Sequence, residues 1–231
     1  MQHIYLHGWG FDREVFRLLD EALDNECPCL YSLTSEGSYT AISEAISERC
    51  VEETVLVGWS MGGQIAIDVA ARQQNVIGLV LLASAPILVN KDECLWGINR
   101  LDYSELYELF RNKPDKAISQ LLALTALGEK DYGAVHKQLH RHIAKPAYNK
   151  TLFTLLAELA QTDLRKQFAE LSIPVCICVG KNDALLNTAL LEQLASKTVQ
   201  LLVLDETGHA PFVSNADALS SKIKTFSAFV S

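Results

Sequence analysis

The sequence predicts an α/β fold in which helices surround a mostly parallel, doubly wound sheet. Three observations lead to this prediction: short apolar runs alternate with helical patterns, the best runs are almost continuously apolar, and one long helical stretch interrupts the alternation. Continuous apolar runs are typical of strands buried on both faces of a parallel sheet. Strand–helix–strand alternation with right-handed crossovers then produces the doubly wound arrangement.

The apolar runs place six strands along the chain. They cover residues 2–6, 28–32, 54–58, 77–83, 173–179 and 199–204. Helical patterns lie between them, for example at 61–73, 187–196 and 216–229.

One stretch, residues 87–168, contains helical periodicity and no convincing strand, and it is too long to be a loop. Its predicted helices cover residues 101–110, 116–127, 132–142 and 149–159. We therefore expect a core formed by 1–86 and 169–231, with a helical lid at 87–168. The lid is expected over the carboxyl edge of the sheet, where open α/β sheets bind ligands.

Composition limits the classes of function. The chain has 231 residues, of which 49% are hydrophobic and 21% charged, so it can bury a full core without disulfides or metals. A net charge of −8 argues against binding nucleic acid through overall basicity. No apolar run approaches the ~18 residues of a membrane span, and the first residues lack the basic segment of a signal peptide.

The six cysteines do not indicate a disulfide framework or a zinc site. Cys27-x-Cys29 and Cys176-x-Cys178 lack the two-residue gap of zinc knuckles. His136 and His140 have metal-compatible spacing without a third ligand, so no metal or other cofactor is expected. We expect reduced thiols in a cytoplasmic monomer.

The strongest motif is Gly58-Trp59-Ser60-Met61-Gly62, which matches G-x-S-x-G between a buried strand and a helix. A serine on such a sharp turn adopts a strained backbone geometry and needs small neighbours. The turn presents the Ser60 hydroxyl at a helix N-terminus, where developing negative charge is favoured. Ser60 is therefore the candidate nucleophile.

A serine hydroxyl needs a base, and the base needs a carboxylate. His209 follows the last predicted strand, and Asp183 follows the strand before it, so both are expected at the carboxyl edge. The order Ser60, Asp183, His209 is the one expected for α/β-hydrolases. The competing acid, Asp205, is interpreted as capping or closing its strand.

A tetrahedral intermediate requires two convergent N–H donors. Met61, the residue after the nucleophile, supplies one, and we assign the second to the backbone of Trp9 in the loop after the first strand. His7 is interpreted as a residue that shapes this loop by hydrogen bonding.

Three segments together resemble the α/β-hydrolase superfamily: His7 to Gly10, Gly58 to Gly63, and Gly208 to Phe212. More narrowly they resemble the pimeloyl-(acyl-carrier protein) methyl ester esterases of biotin synthesis. The tryptophans Trp9 and Trp59 are shared, as are the lid entry at 83–86, Trp96-Gly97-Ile98 and the helix at 121–128. The chain departs from the superfamily in two respects. It begins without the usual N-terminal β-hairpin, and residues 32–38 replace the Asp-x-Pro-Gly-x-Gly-x-Ser loop.

The resemblance implies an α/β-hydrolase fold and a serine carboxylesterase that hydrolyses pimeloyl-carrier-protein methyl ester through an acyl-enzyme. Two alternatives remain open. The same triad could act on another small ester, a thioester or a C–C bond, or the fold could serve as a ligand-binding module without catalysis. The substrate is expected to contact Trp9, Trp59, Leu121, Leu124, Thr125 and Phe212.

Charge is unevenly distributed, because residues 111–150 contain eight lysines and arginines against three acids in a chain of net charge −8. Lys137 and Arg141 are four residues apart and so share one helical face. Two interpretations remain: a solvated helical face, or a docking surface for an acidic acyl-carrier protein, which the resemblance also implies.

Overall fold

The computed structural model describes residues 1–19 and 26–231. Within these residues the fold is built on one five-stranded sheet. All neighbouring strands pair in parallel, and the spatial order follows the chain order. The strands are β1 (Gln2–Leu6), β2 (Thr54–Trp59), β3 (Val76–Leu82), β4 (Val175–Gly180) and β5 (Val199–Leu204).

Five of the six predicted strands are confirmed, and the one at 28–32 is wrong. Residues Leu30–Ser32 form a short 3₁₀ helix instead. The pairing that the sixth strand would have made is reduced to one isolated parallel bridge between Glu26 and Ile4, on the side of β1 away from β2. The chain therefore steps outward from β1 to Glu26 before it returns past β1 to β2, and this reversal is the switch point near which such sheets bind ligands.

Ten α-helices are present in the described residues. They are α1 (Tyr39–Ser47), α2 (Met61–Ala70), α3 (Arg100–Asn112), α4 (Pro114–Ala126), α5 (Tyr132–His140), α6 (Asn149–Leu159), α7 (Arg165–Ala169), α8 (Thr188–Leu191), α9 (Pro211–Ser214) and α10 (Ala216–Val230). Further 3₁₀ helices cover Arg13–Leu18, Pro146–Tyr148 and Glu192–Leu194.

The core lies around the central strands. Every residue of β2 and β4 is buried, which requires cover on both faces of the sheet. Helix α2 packs against β1, β2 and β3, and α10 packs against β3, where Gly78 leaves room for the ring of Phe226. These contacts fix the turn between β2 and α2 rigidly against the sheet.

Helices α3 to α6 lie in sequence between β3 and β4, within the stretch that lacks a predicted strand. Local signals set their ends. The side chain of Asn99 accepts a hydrogen bond from the N–H of Leu101, and that of Asp131 accepts one from Ala134, so both act as N-caps. Pro114 occupies the first turn of α4, where its missing N–H costs nothing. Within the described parts of the chain, no helix has the length and apolarity needed to cross a bilayer.

Candidate active site

Ser60 occupies the turn between β2 and α2 in a backbone conformation that few residues adopt. Its φ is 52° and its ψ is −119°, which a non-glycine residue keeps only when its surroundings enforce it. Gly62 allows the turn to approach β1, since a Cβ there would overlap the carbonyl oxygen of Leu6. The hydroxyl of Ser84 donates to the Ser60 carbonyl at 2.7 Å and fixes the turn from β3.

Ser60, His209 and Asp183 form one hydrogen-bonded line. Nε2 of His209 lies 2.9 Å from Oγ of Ser60, and Nδ1 lies 2.8 Å from Oδ2 of Asp183. Because a carboxylate only accepts, Nδ1 carries the proton and Nε2 is free to accept from the serine. The other oxygen of Asp183 accepts from the backbone N–H groups of Leu185 and Leu186, at 2.8 and 3.0 Å. This buried carboxylate is therefore fully satisfied.

The backbone of His209 is held on two sides. The indole N–H of Trp59 donates to its carbonyl at 2.8 Å, and its own N–H donates to the carbonyl of Thr125 in α4 at 3.2 Å. The imidazole is thus positioned by the end of β2 and by α4 together. Asp205, the competing acid, is exposed and pairs with Lys181 at 2.8 Å, so it does not orient His209.

The two expected oxyanion donors are both available. Among the described residues, neither the N–H of Trp9 nor that of Met61 donates to a protein acceptor. His7 shapes the Trp9 loop as expected: its Nδ1–H donates to the Gly8 carbonyl at 3.1 Å, and its Nε2 accepts from Leu30 N–H at 3.0 Å. Complete burial lowers the pKa of His7 to about 4, so its ring is neutral at pH 7.

A pocket opens onto this line of residues. Among residues 1–19 and 26–231, no lysine, arginine, aspartate or glutamate lines it. The lining residues are Gly8, Trp9, Phe11, Trp59, Ser60, Met61, Leu88, Ile98, Tyr103, Leu106, Leu121, Thr125, Leu156, Leu159, Leu185, Leu186 and His209. The pocket therefore suits a neutral, mostly hydrocarbon group.

Four of the six expected substrate contacts line the pocket, namely Trp9, Trp59, Leu121 and Thr125. The other two do not. Phe212 is fully buried behind Trp59, with its ring edge-on at 5.0 Å, so it supports the pocket wall from outside. Leu124 lies about 100° round the helix from Thr125, half-buried against the core and outside the lining.

Lys137 and Arg141 lie at the end of α5, and both are exposed. Neither has a carboxylate partner within salt-bridge distance among the described residues. They are free to meet an external charge.

Two residues of the site escape sequence reasoning. Glu129, between α4 and α5, accepts from the N–H of Gly208 at 3.0 Å and from the hydroxyl of Ser214 at 2.7 Å, so this connection also fixes the loop that carries His209. Burial raises the pKa of Glu129. The second residue, Tyr31, contacts the loop of Trp9. Neither residue belongs to a motif, and only the fold brings them to the site.

A parallel α/β sheet that carries serine, aspartate and histidine in this order and at these strand ends defines the class of α/β hydrolases. A family model described as the alpha/beta hydrolase family matches residues 4–221, and the chain belongs to that family.

The chain is also similar to individual proteins of known name. The chain is 28% identical over 239 residues to the pimeloyl-(acyl-carrier protein) methyl ester esterase of Xylella fastidiosa strain 9a5c, covering 96% of this chain and 93% of that protein. It is 29% identical over 235 residues to the protein of the same name from Aromatoleum aromaticum, covering 93% of each chain. Its fold is similar to that of a thermophilic esterase from Thermogutta terrifontis, with a TM-score of 0.82 at 19% identity, covering 100% of this chain and 90% of that one.

Proposed function

We propose that the protein is a serine carboxylesterase in which Ser60, His209 and Asp183 form the catalytic triad. The observation that carries the proposal is the continuous line of two hydrogen bonds, 2.9 and 2.8 Å long, that ends at a serine hydroxyl facing an apolar pocket. A serine becomes an effective nucleophile when a neutral histidine accepts its proton, and the carboxylate stabilises the imidazolium that results.

The chemistry follows from the positions of these groups. Ser60 Oγ attacks the ester carbonyl while its proton passes to Nε2 of His209. The resulting oxyanion accepts hydrogen bonds from the N–H groups of Trp9 and Met61. His209 then gives the proton to the departing alcohol, which leaves an acyl-enzyme on Ser60. Water, activated by the same histidine, attacks the acyl-enzyme and releases the acid.

The proposed substrate is pimeloyl-carrier-protein methyl ester, which would be hydrolysed to the free acid and methanol in biotin synthesis. Two observations support this choice: the names of the relatives at 28% and 29% identity, and the absence of charged side chains from the pocket lining. A methyl ester is neutral and can enter such a pocket without being desolvated as an ion. A free carboxylate cannot do so cheaply.

The same argument predicts how tightly the pocket binds the product. Hydrolysis converts a neutral ester into a carboxylate that finds no cation in the lining. We expect the product to leave readily and to bind more weakly than the substrate. This behaviour favours turnover of the ester over retention of the acid.

The proposed partner is an acyl-carrier protein, bound transiently at the exposed end of α5. Carrier proteins of this class are expected to be acidic, and Lys137 with Arg141 offers two exposed cations on one helical face. The proposal includes residues 87–168 as the lid, with 1–86 and 169–231 as the core. All six cysteines are free, which supports a reducing, cytoplasmic location.

The test is a set of assays on purified protein. A fluorophosphonate probe should label wild-type protein and fail to label the Ser60→Ala variant. Wild-type protein should hydrolyse pimeloyl-carrier-protein methyl ester with a higher kcat/KM than matched thioester or C–C substrates. Rescue of a biotin-requiring strain that lacks its methyl esterase, by the wild-type gene and not by Ser60→Ala, should follow.

Each alternative has its own signature in these assays. Absence of labelling in folded wild-type protein would favour a ligand-binding module. If Ser60 is labelled but the carrier-bound methyl ester is not hydrolysed, the proposed triad stands and the proposed substrate is wrong. The substrate would then be another ester, a thioester or a compound with a cleavable C–C bond.

A further inference from the structure

The hydroxyl of Tyr31 bridges the two peptide groups that flank the α-carbon of Trp9. It donates a hydrogen bond to the carbonyl oxygen of Gly8 at 3.0 Å and accepts one from the N–H of Gly10 at 3.0 Å. Tyr31 comes from the 3₁₀ helix Leu30–Ser32, which replaces the strand expected at this place. No role is assigned to Tyr31 by the motifs of the sequence.

These two bonds control the direction of the proposed oxyanion donor. The carbonyl of Gly8 and the N–H of Trp9 belong to one planar, trans peptide group, so they point in opposite directions. A hydrogen bond that holds the Gly8 oxygen therefore aims the Trp9 N–H. The bond from Gly10 fixes the next peptide group. Gly10 itself has a φ of 84°, a left-handed conformation that glycine adopts without steric cost.

Tyr31 is itself held rigidly. Only 3% of the residue is exposed, and its ring lies edge-on to that of His7, with the ring centroids 4.8 Å apart. The neighbouring N–H of Leu30 donates to His7, which ties the 3₁₀ helix to the same loop. Burial raises the pKa of Tyr31 well above its usual value, so the phenol keeps its proton and remains a donor.

Other contacts also restrain the loop. Ala144 donates to the carbonyl of Gly10 at 2.9 Å. The carbonyl of Gly8 accepts from Nδ1 of His7 at 3.1 Å and from the N–H of Phe11 at 3.4 Å, in addition to the Tyr31 hydroxyl. Among the described residues, Tyr31 is the one side chain that bonds to the peptide groups on both sides of Trp9. A single oxygen atom therefore links the two peptide planes.

We propose that Tyr31 is a positioning residue for the oxyanion hole, which acts by aiming the N–H of Trp9 at the oxygen that becomes charged. The inference rests on the proposed esterase function. Loss of the bridge should raise the energy of the transition state more than that of the bound substrate, because the oxyanion exists only after attack.

The test compares Tyr31→Phe, which removes one oxygen and keeps the ring, with Tyr39→Phe as a matched control. The Tyr39 hydroxyl is also buried, and it has no hydrogen-bond partner among the described residues. Active sites are counted by fluorophosphonate labelling, so that kcat is expressed per competent site. The affinity of a boronic-acid transition-state analogue is measured in parallel.

For Tyr31→Phe we expect kcat per site to fall roughly tenfold or more, a fraction of the ~10²–10³ lost when an oxyanion donor is removed. KM should stay within about twofold, and analogue affinity should fall with kcat. Tyr39→Phe should keep both kcat and analogue affinity. If kcat per site and analogue affinity in Tyr31→Phe equal those of wild type, whatever the change in Tm, the inference is wrong.

A second pair of variants covers the case in which Tyr31→Phe folds poorly. 4-Aminophenylalanine at position 31 keeps a donor and an acceptor, whereas 4-methylphenylalanine has similar volume and neither. Only the amino variant should retain most of the wild-type kcat, and equal kcat in the two variants would overturn the inference. Failure of the proposed function looks different, because wild-type protein itself would then show no labelling at Ser60 or no ester turnover.

Discussion

At the scale of single residues, the three side chains of the proposed triad depend on one another. Asp183 orients the imidazole of His209, and this imidazole accepts the proton of Ser60. Removal of Ser60 or His209 should therefore disable the same step. We expect Ser60→Ala and His209→Ala each to reduce kcat/KM for a methyl ester by several orders of magnitude, and the double variant to be little worse than either. Steady-state kinetics of all three variants measure this. Asp183→Asn should do less damage, and a double variant far below both singles would contradict the shared mechanism.

His7 makes the free energy of unfolding depend on pH. Its pKa is lowered by burial to about 4, while in the unfolded chain it is near 6.5. Between these values the unfolded chain binds a proton that the folded chain does not, so the free energy of unfolding falls as the pH falls. The full effect approaches roughly 3 kcal/mol near pH 4, and about 2 kcal/mol of it is present at pH 5.

The measurement is urea unfolding at pH 7 and pH 5 for wild type and His7→Asn. Asparagine does not titrate, so the variant should lose about 2 kcal/mol less than wild type over this interval, whatever its stability at pH 7. The same loss in both proteins would show that His7 is not the group responsible.

Sequence reasoning at this scale reached the residues that belong to motifs. Ser60, Asp183 and His209 could be predicted because each follows a strand, and the strand ends of a parallel sheet share one edge. Tyr31 and Glu129 could not be predicted. Each acts through a single side chain on a backbone atom about 20 and 80 residues away, and such pairs leave no periodic signal.

At the scale of elements, the expected strand at 28–32 failed for a physical reason. Leu30 and Tyr31 are buried, as an apolar run predicts, but they belong to a 3₁₀ helix, and Tyr31 bonds to the loop of Trp9 rather than to a neighbouring strand. An apolar run reports burial and does not by itself distinguish a strand from another buried segment.

Helix α4 offers a test of the pocket. Leu121 lines it and Leu124 does not, although both are leucines of the same helix. We expect Leu121→Ala to enlarge the pocket and shift the ratio of kcat/KM for long and short acyl methyl esters several-fold towards long chains. Leu124→Ala removes the same atoms and should leave the ratio unchanged. Equal shifts in both variants, or no shift in Leu121→Ala, would show that Leu121 does not contact the acyl chain.

At the scale of the whole molecule, charge separates the end of α5 from the rest of an acidic chain. Exposed charges contribute only ~0.2–1 kcal/mol each, and they act mainly on association rate and salt dependence. We expect Lys137→Glu with Arg141→Glu to lower kcat/KM for a carrier-bound ester several-fold at low salt. The effect should fade as salt rises, and turnover of a small soluble ester should hardly change.

The matched control is Lys166→Glu with Lys197→Glu, which makes the same change in net charge at exposed positions outside 111–150. It should leave kcat/KM for both substrates near wild type. Loss on the small ester as well would indicate damage to the lid, and no loss on either substrate would leave Lys137 and Arg141 as ordinary surface residues.

The helical segment between β3 and β4 bonds both to the loop of Trp9 and to the loop of His209, and this limits how the protein can be recombined with its relatives. Ala144 and Leu152 bond to the Trp9 loop, while Thr125 and Glu129 bond to the segment that carries His209. Replacing this segment with that of a relative would remove these hydrogen bonds together with the residues that line the pocket. A working chimera must therefore keep the atoms that form these bonds. Chimeras chosen by pocket shape alone should fold but hydrolyse their substrate slowly.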